Sequence, residues 1–435
     1  MYLYSSLLTR QADNQPVRVG LIGAGKFGSM FLSQAPTTPA LQVSIIADLD
    51  PGRAMQQCRA VGWSDEQVDA TAFVDDAEKL IASDQVDVVV EATGHPAAGI
   101  KHALLCGQHG KHVVMVNVEA DVLAGPYLAQ QARAAGVVYS MAYGDQPALT
   151  MEMVDWARAC GFKVIAAGKG TKYLPMYHSS TPDTVWSYYG LTAEQAAAAG
   201  MRSQMFNSFL DGTKSSIEMA AIANAADLQA PKNGLAFPPC GAEDLAHILR
   251  PKSVGGLLDQ AGMVEVVSSL ERDARPVPRD LRWGVYCVFE APNDYSAECF
   301  SQYGMNTDAS GRYSAMFKPF HLIGLELNIS IFSAALGGKA TGAPVVFNAD
   351  VAAVAKRDLA AGETLDGEGG FTVWGRLMPA ADSLAVNALP IGLASDVVLT
   401  RAVSQGQVVC IGDVKADQSS QAWQIRQAME QGFGH

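Results

Sequence analysis

The stretch VRVGLIGAGKFGSM, residues 17–30, decides the fold. Its first six residues form a short run rich in Val and Leu/Ile, the pattern of a strand buried on both faces. GAGKFG follows at once, placing Gly23, Gly25 and Gly28 in a G-x-G-x-x-G spacing that opens a helix from Phe27 to Ala35, where Pro36 stops it. In that context the three glycines meet three mechanical needs, which are a tight turn, close approach of a diphosphate to backbone, and close packing of helix on strand. Lys26 and Phe27 fill the positions between, where free N–H groups and the positive end of the helix dipole suit the diphosphate of a dinucleotide.

Working outward, the next strand, VSIIAD, ends in Asp48, twenty residues after Gly28. A carboxylate there accepts hydrogen bonds from the adenosine ribose hydroxyls and repels a 2′-phosphate, which favours NAD over NADP. Arg53, five residues on, is the kind of group that accommodates that phosphate, so NADP stays open. VDVVVEATG, HVVMVN and GVVYS continue the series of strands, with helix-like stretches between them, as an open parallel sheet requires. Strand ends on the ligand-binding edge then carry Thr93 and Gly94 against the cofactor, and Asn117 and Glu119 towards its nicotinamide half. His95 reads equally as a ligand contact or a helix cap, and Asp121 as a cap.

At 435 residues the chain is long enough for three units. The expected division is a Rossmann domain over residues 1–146, an α+β catalytic domain over 147–343, and a small all-β domain with a terminal helix over 344–435. Apolar residues make up 49% and charged residues 17%, enough to fill large cores. The formal charge of −13 disfavours nucleic acid and anionic membranes as partners. Seven scattered cysteines without a CxxC pattern, no cationic leader and no long apolar span describe a soluble cytoplasmic protein acting on a small molecule.

Charge is concentrated in three places beyond the first domain. GKGTK sets Lys169 and Lys172 among glycines; LDGTKSSIEM brings Asp211, Lys214 and Glu218 to a helix start; GRYSAMFKPFHL gathers Arg312, Lys318 and His321. Lysine in such a setting suits an anionic substrate group, or proton transfer to the alkoxide formed during hydride transfer. Lys214 and Glu218, four residues apart, share a helical face, where a plain ion pair is the alternative. The catalytic candidates are therefore Lys169, Lys214, Glu218 and Asp211; the substrate-binding candidates are Lys172, Asp145, Arg312, Lys318 and His321. Asp145, Asp211 and Glu218 could share a divalent ion, although no spacing has metal-ligand specificity.

GAGKFG, MVNVEADVLAGPYL, YGDQP, AGKGTK, FLDGTKSSIEMAAIAN, FKPFHLIGLEL and the AKRDLAAGE…LPIGL tail resemble the homoserine-dehydrogenase-like oxidoreductases with a C-terminal SAF domain, including the deoxyxylulose phosphate reductoisomerase-like enzymes, over about residues 15 to 415. The resemblance implies an NAD(P)-linked oxidoreductase of CH–OH substrates, a SAF β-clip at the C-terminus and a homo-oligomer, and it places Lys169, Lys214 and Glu218 within shared strings. The expected activity is NAD-linked hydride transfer on a small polyhydroxylated or phosphorylated substrate, with isomerisation as a further step. An NADPH-dependent reductoisomerase and a non-catalytic dinucleotide-binding protein with a SAF partner module are the alternatives.

Overall fold

The computed structural model describes residues 3–434; Met1, Tyr2 and His435, the outermost residues of the expected first and last domains, lie outside them. The chain forms two compact units. The first comprises residues 1–149, 321–345 and 424–429. Its six strands, β1 (Val17–Ile22), β2 (Leu41–Ala47), β3 (Ala72–Val74), β4 (Val88–Glu91), β5 (His112–Met115) and β6 (Tyr139–Met141), run parallel in the order 3-2-1-4-5-6. That order reverses direction between β1 and β4, which creates the crevice at the carboxyl ends of the strands where dinucleotides bind. β4 is buried throughout, as a strand covered on both faces must be.

The apolar stretch 321–336, grouped by its place in the sequence with the central domain, belongs to this first unit. Its helix, Asn328–Gly337, buries Ile331 and Phe332, together with Leu327 just before it, in the core that holds Val19, Leu21, Val88 and Val90. Burying such side chains is worth on the order of 1.5–3 kcal/mol each, so the core captures a distant segment of chain.

The second unit comprises residues 150–320, 346–423 and 430–435. Strands β7 (Lys163–Thr171), β8 (Met263–Ser268), β9 (Val285–Glu290) and β10 (Tyr313–Lys318) form a mixed sheet in the order β10-β9-β7-β8. β7 runs parallel to β8 and antiparallel to β9. The helix Thr213–Ala226 is buried along nearly its whole length, and its small and apolar residues on every side are what such a position demands. It packs on β7 and β8 and also on β11 (Ala349–Ala355) and β13 (Val373–Pro379). Asn224 ties it to β11: its side-chain oxygen accepts from the Asn348 and Ala349 N–H groups, each at 2.9 Å, and its amide donates to the Ala349 carbonyl at 3.0 Å. The C-terminal strands, expected as a third domain, therefore share one unit with the mixed sheet. β12 (Thr364–Asp366), β14 (Ser395–Leu399) and β15 (Val414–Lys415) complete them.

Candidate functional site

In the first unit the fingerprint glycines play separable parts. Gly23 has φ +95°, and a Cβ there would lie 2.8 Å from the Ala92 carbonyl oxygen; one on Gly28 would lie 2.4 Å from that of Gly23. Gly25 faces open space and precedes the helix Lys26–Gln34, whose N-terminus has no side-chain cap. Free N–H groups beside open space fit the diphosphate of a dinucleotide. Lys26 is exposed and Phe27 half-buried at this helix start.

Asp48 closes the turn. One oxygen accepts from the Ala24 N–H at 2.9 Å, the other from the Asp50 N–H at 3.0 Å and the Arg53 guanidinium at 2.7 Å. Burial works to raise its pKa, but these donors outweigh burial and hold the carboxyl below its ordinary value. It is ionised at neutral pH and spans both the fingerprint and the loop after β2.

At the neighbouring strand ends, the Thr93 hydroxyl donates to Glu91 at 2.5 Å, while Gly94 has φ +68° and faces open space. His95 caps the helix Pro96–Gln108 by accepting from the Ala98 N–H. Asn117 is more deeply engaged than a nicotinamide contact requires: it caps the helix Val118–Ala134 through the Ala120 N–H and donates to the His95 carbonyl at 2.9 Å. Glu119, half-buried, follows in the first turn. Asp121 is not a cap. It is buried within the first turn and accepts from the Tyr139 hydroxyl at 2.8 Å.

Asp121 and Asp145, both 2% exposed, line a cavity of about 10 Å³ with Met115, Val118, Met141 and Pro147. That is room for roughly one water. The next residue, Gln146, meets the His321 ring at 3.2 Å, so Asp145 and His321 are both part of the first unit.

Burial pushes the Asp121 carboxyl up to about 7 despite the Tyr139 hydrogen bond. The native state consequently holds a proton that the unfolded chain releases above the ordinary carboxylate value. Stability from this group is full on the acid side and declines as pH rises towards 7, by at most about 1.4 kcal/mol per pH unit. Thermal melts from pH 5 to 8 should show the parent losing stability relative to Asp121→Asn across that window; parallel curves would refute the assignment.

In the second unit, β7 carries Lys169, 6% exposed, in an ion pair with Glu218, 2% exposed, on the helix Thr213–Ala226. The flanking glycines do not bare backbone to a ligand, as their pattern suggests. A Cβ on Gly168 would lie 1.9 Å from the Glu265 carbonyl oxygen, and one on Gly170 1.9 Å from that of Leu281. They let neighbouring backbone close on both sides of Lys169. Glu265 reinforces the packing: its carboxylate accepts N–H groups of Ala236, Phe237 and Val266, while burial pushes it up to about 7.

Lys214 lies half-buried one turn before Glu218. Asp211, fully buried, accepts from the Thr213 N–H at 2.9 Å and pairs with Lys356 at 2.7 Å. That engagement makes Asp211 a support for the start of the helix that bears Lys214 and Glu218. Lys172 donates to the Tyr188 carbonyl at 2.5 Å. The third charged cluster comes apart: Arg312 and Lys318 stand towards opposite ends of β10, roughly 16 Å or more apart at about 3.3 Å per residue, with Arg312 on the exposed Asp294 and Lys318 over the Phe320 ring. Among the described residues no group of three or more His, Cys, Asp or Glu side chains is arranged to hold a metal.

Two groups have no motif to announce them. His178 sits between Asp211 and Tyr173: its Nδ1 donates to the Asp211 carbonyl at 2.6 Å, and its Nε2 accepts from the Tyr173 hydroxyl at 2.9 Å. Burial lowers its pKa, so the ring is neutral at pH 7, and the carbonyl selects the Nδ1–H tautomer. Trp374 stacks on His178 and Phe237 on Tyr173, with centroids 4.0 and 3.9 Å apart.

Residues 19–141 match the NAD-binding domain of homoserine dehydrogenase. Residues 144–327 match the catalytic domain of oxidoreductase DRL. The chain thus joins an NAD-binding domain to an oxidoreductase catalytic domain. No curated protein matches it. Among solved structures it is similar to myo-inositol dehydrogenase from Lactobacillus casei in complex with NAD(H) and myo-inositol, at 15% identity over 40% of this chain and 50% of that one, TM-score 0.29. It is also similar to a 3-ketoreductase from Actinomadura kijaniata in complex with NADP, at 19% identity over 36% and 50%, TM-score 0.27. An oxidoreductase domain protein from Kribbella flavida matches at 18% identity over 45% and 53%, TM-score 0.29. The chain spans about half the length of these structures. No helix among the described residues is long and apolar enough to cross a membrane.

Proposed function

We propose that this NAD(P)-linked oxidoreductase transfers hydride to or from a carbinol carbon of a small polyhydroxylated or phosphorylated substrate, with NAD preferred. The observation that carries this reading is the buried Lys169–Glu218 pair inside the residues that match an oxidoreductase catalytic domain. Bound NAD supplies the hydride acceptor or donor. In reduction the Lys169 ammonium donates a proton to the nascent alkoxide; in oxidation the neutral amine removes the hydroxyl proton. Glu218 holds the ammonium in place and offsets its charge, and Lys214, one turn earlier, supplies a second cation for a substrate oxygen.

Preference for NAD rests on Asp48, ionised and held in position at the end of β2. Asp48→Asn keeps an oxygen for the Ala24 N–H and removes the charge that repels a 2′-phosphate. Its NAD-over-NADP ratio in kcat/KM should fall by about tenfold or more, which corresponds to roughly 1.4 kcal/mol. An unchanged ratio would overturn the cofactor preference. The reaction itself is tested by following NADH formation with tetritols, sugar acids and their phosphates; no turnover with any of them would defeat the substrate reading.

A further inference from the structure

β7 ends in Gly170 and Thr171, with Lys172 and Tyr173 just beyond. Segment 281–284 lies flat on this end: the Gly170 N–H donates to the Gly284 carbonyl at 3.0 Å, and the Leu281 carbonyl occupies the place of a Gly170 side chain. That packing carries Arg282 alongside Lys172. Arg282 is close enough for its charge to bear on Lys172, Tyr177 and Tyr189. Burial first, and Arg282 second, lower the pKa of Lys172.

Among the described residues neither cation has a carboxylate within 4.0 Å. Lys172 uses one ammonium proton on the Tyr188 carbonyl and lies 5.6 Å from the centre of the Tyr189 ring. The Arg282 guanidinium lies 4.7 Å over the Trp283 ring and makes no hydrogen bond among the described residues, while the Arg282 backbone N–H donates to the Asp280 carboxylate at 2.9 Å. Two half-buried like charges without a counter-ion are unfavourable, and in a chain of net charge −13 acidic partners are plentiful. The pair is suited to a counter-ion from outside the chain.

We propose that Lys172 and Arg282 form an anion subsite of the catalytic unit, which takes a carboxylate or phosphate carried by the substrate. The guanidinium offers a planar fork for bidentate contact and the ammonium a point charge beside it. Burial raises the Tyr189 pKa, and the charges of Arg282 and Asp211 act on it in opposite directions. The substrate class of the proposed reaction narrows accordingly to polyhydroxy acids or sugar phosphates, an inference that rests on the hydride-transfer reading.

Calorimetric titration of the full chain with inorganic phosphate and, separately, with glycerate tests the subsite. Arg282→Met and Lys172→Met should each weaken anion binding about tenfold or more, the scale of one charged hydrogen bond. The double variant should abolish it, with NAD binding unchanged. Arg282→Lys, which keeps the charge and loses the fork, should retain part of the affinity. Lys163→Met, at the opposite end of β7 and paired on the surface with Glu290, should bind anions as the parent does. Stronger phosphate binding identifies a phosphorylated substrate; stronger glycerate binding identifies an acid. Equal binding by parent and double variant, or none by the parent, overturns the subsite. The two proposals fail separately. A sugar acid or sugar phosphate oxidised with equal kcat/KM by parent and double variant would remove the subsite and leave hydride transfer standing; anion binding lost in the double variant of a chain with no turnover would do the reverse.

Discussion

The Lys169→Met protein is expected to bind NADH as the parent does and to lose about 10²–10⁴-fold in kcat, the range that a positioned proton-transfer group supplies. Methionine fills much of the space of the lysine stem but has no proton to give. The substitution also leaves Glu218, 2% exposed, without its cation. Removing one partner of a buried pair costs roughly 3–5 kcal/mol, so lost turnover alone could reflect lost fold. The double variant Lys169→Met/Glu218→Gln separates the two effects, because a neutral amide tolerates burial better than an orphaned carboxylate. It should recover most of the stability and none of the turnover. Recovery of both, or a single variant with undiminished kcat, would remove Lys169 from the chemistry.

The parts of the fold legible in the sequence are those where one local pattern answers one physical demand. The near-continuous apolar strands need cover on both faces, and Gly23, Gly25 and Gly28 satisfy three distinct steric conditions within one turn. The string GKGTK does not announce that the glycines flanking Lys169 admit the Glu265 and Leu281 carbonyls. Illegible features depend on residues brought together from afar. Segment 321–345 joins the first unit because the core of β1 and β4 lacks the apolar cover that Leu327, Ile331 and Phe332 provide, and periodicity carries no record of which core a helix will cover. His178, in a PMYHS stretch that matches no motif, gains its tautomer only from the Asp211 carbonyl 33 residues away. The charge of Arg282 bears on Lys172 because Gly170 lets segment 281–284 approach.

Lys356 is another partner brought from afar, and its removal should have the largest effect on stability. Its ammonium is almost wholly buried and donates to the Ser180 carbonyl at 2.8 Å and the Gly370 carbonyl at 2.7 Å, besides pairing with Asp211. Lys356→Met strips the counter-ion from a carboxylate that is 0% exposed and leaves two buried carbonyls short of a donor. The expected loss is about 3–5 kcal/mol in chemical denaturation at pH 8. Burial already raises the Asp211 carboxyl above its ordinary value, against the opposing pull of Lys356 and Thr213. Without Lys356 that pull weakens and the folded-state pKa climbs further. The native variant then takes up a proton that its unfolded chain has released, so its stability improves as pH falls towards the ordinary carboxylate value. The deficit against the parent should therefore narrow between pH 8 and 5.5, and Lys356→Met/Asp211→Asn should show a smaller deficit that does not change with pH. A deficit in the single variant that is equal at both pH values would mean that the orphaned Asp211 charge is not what destabilises it.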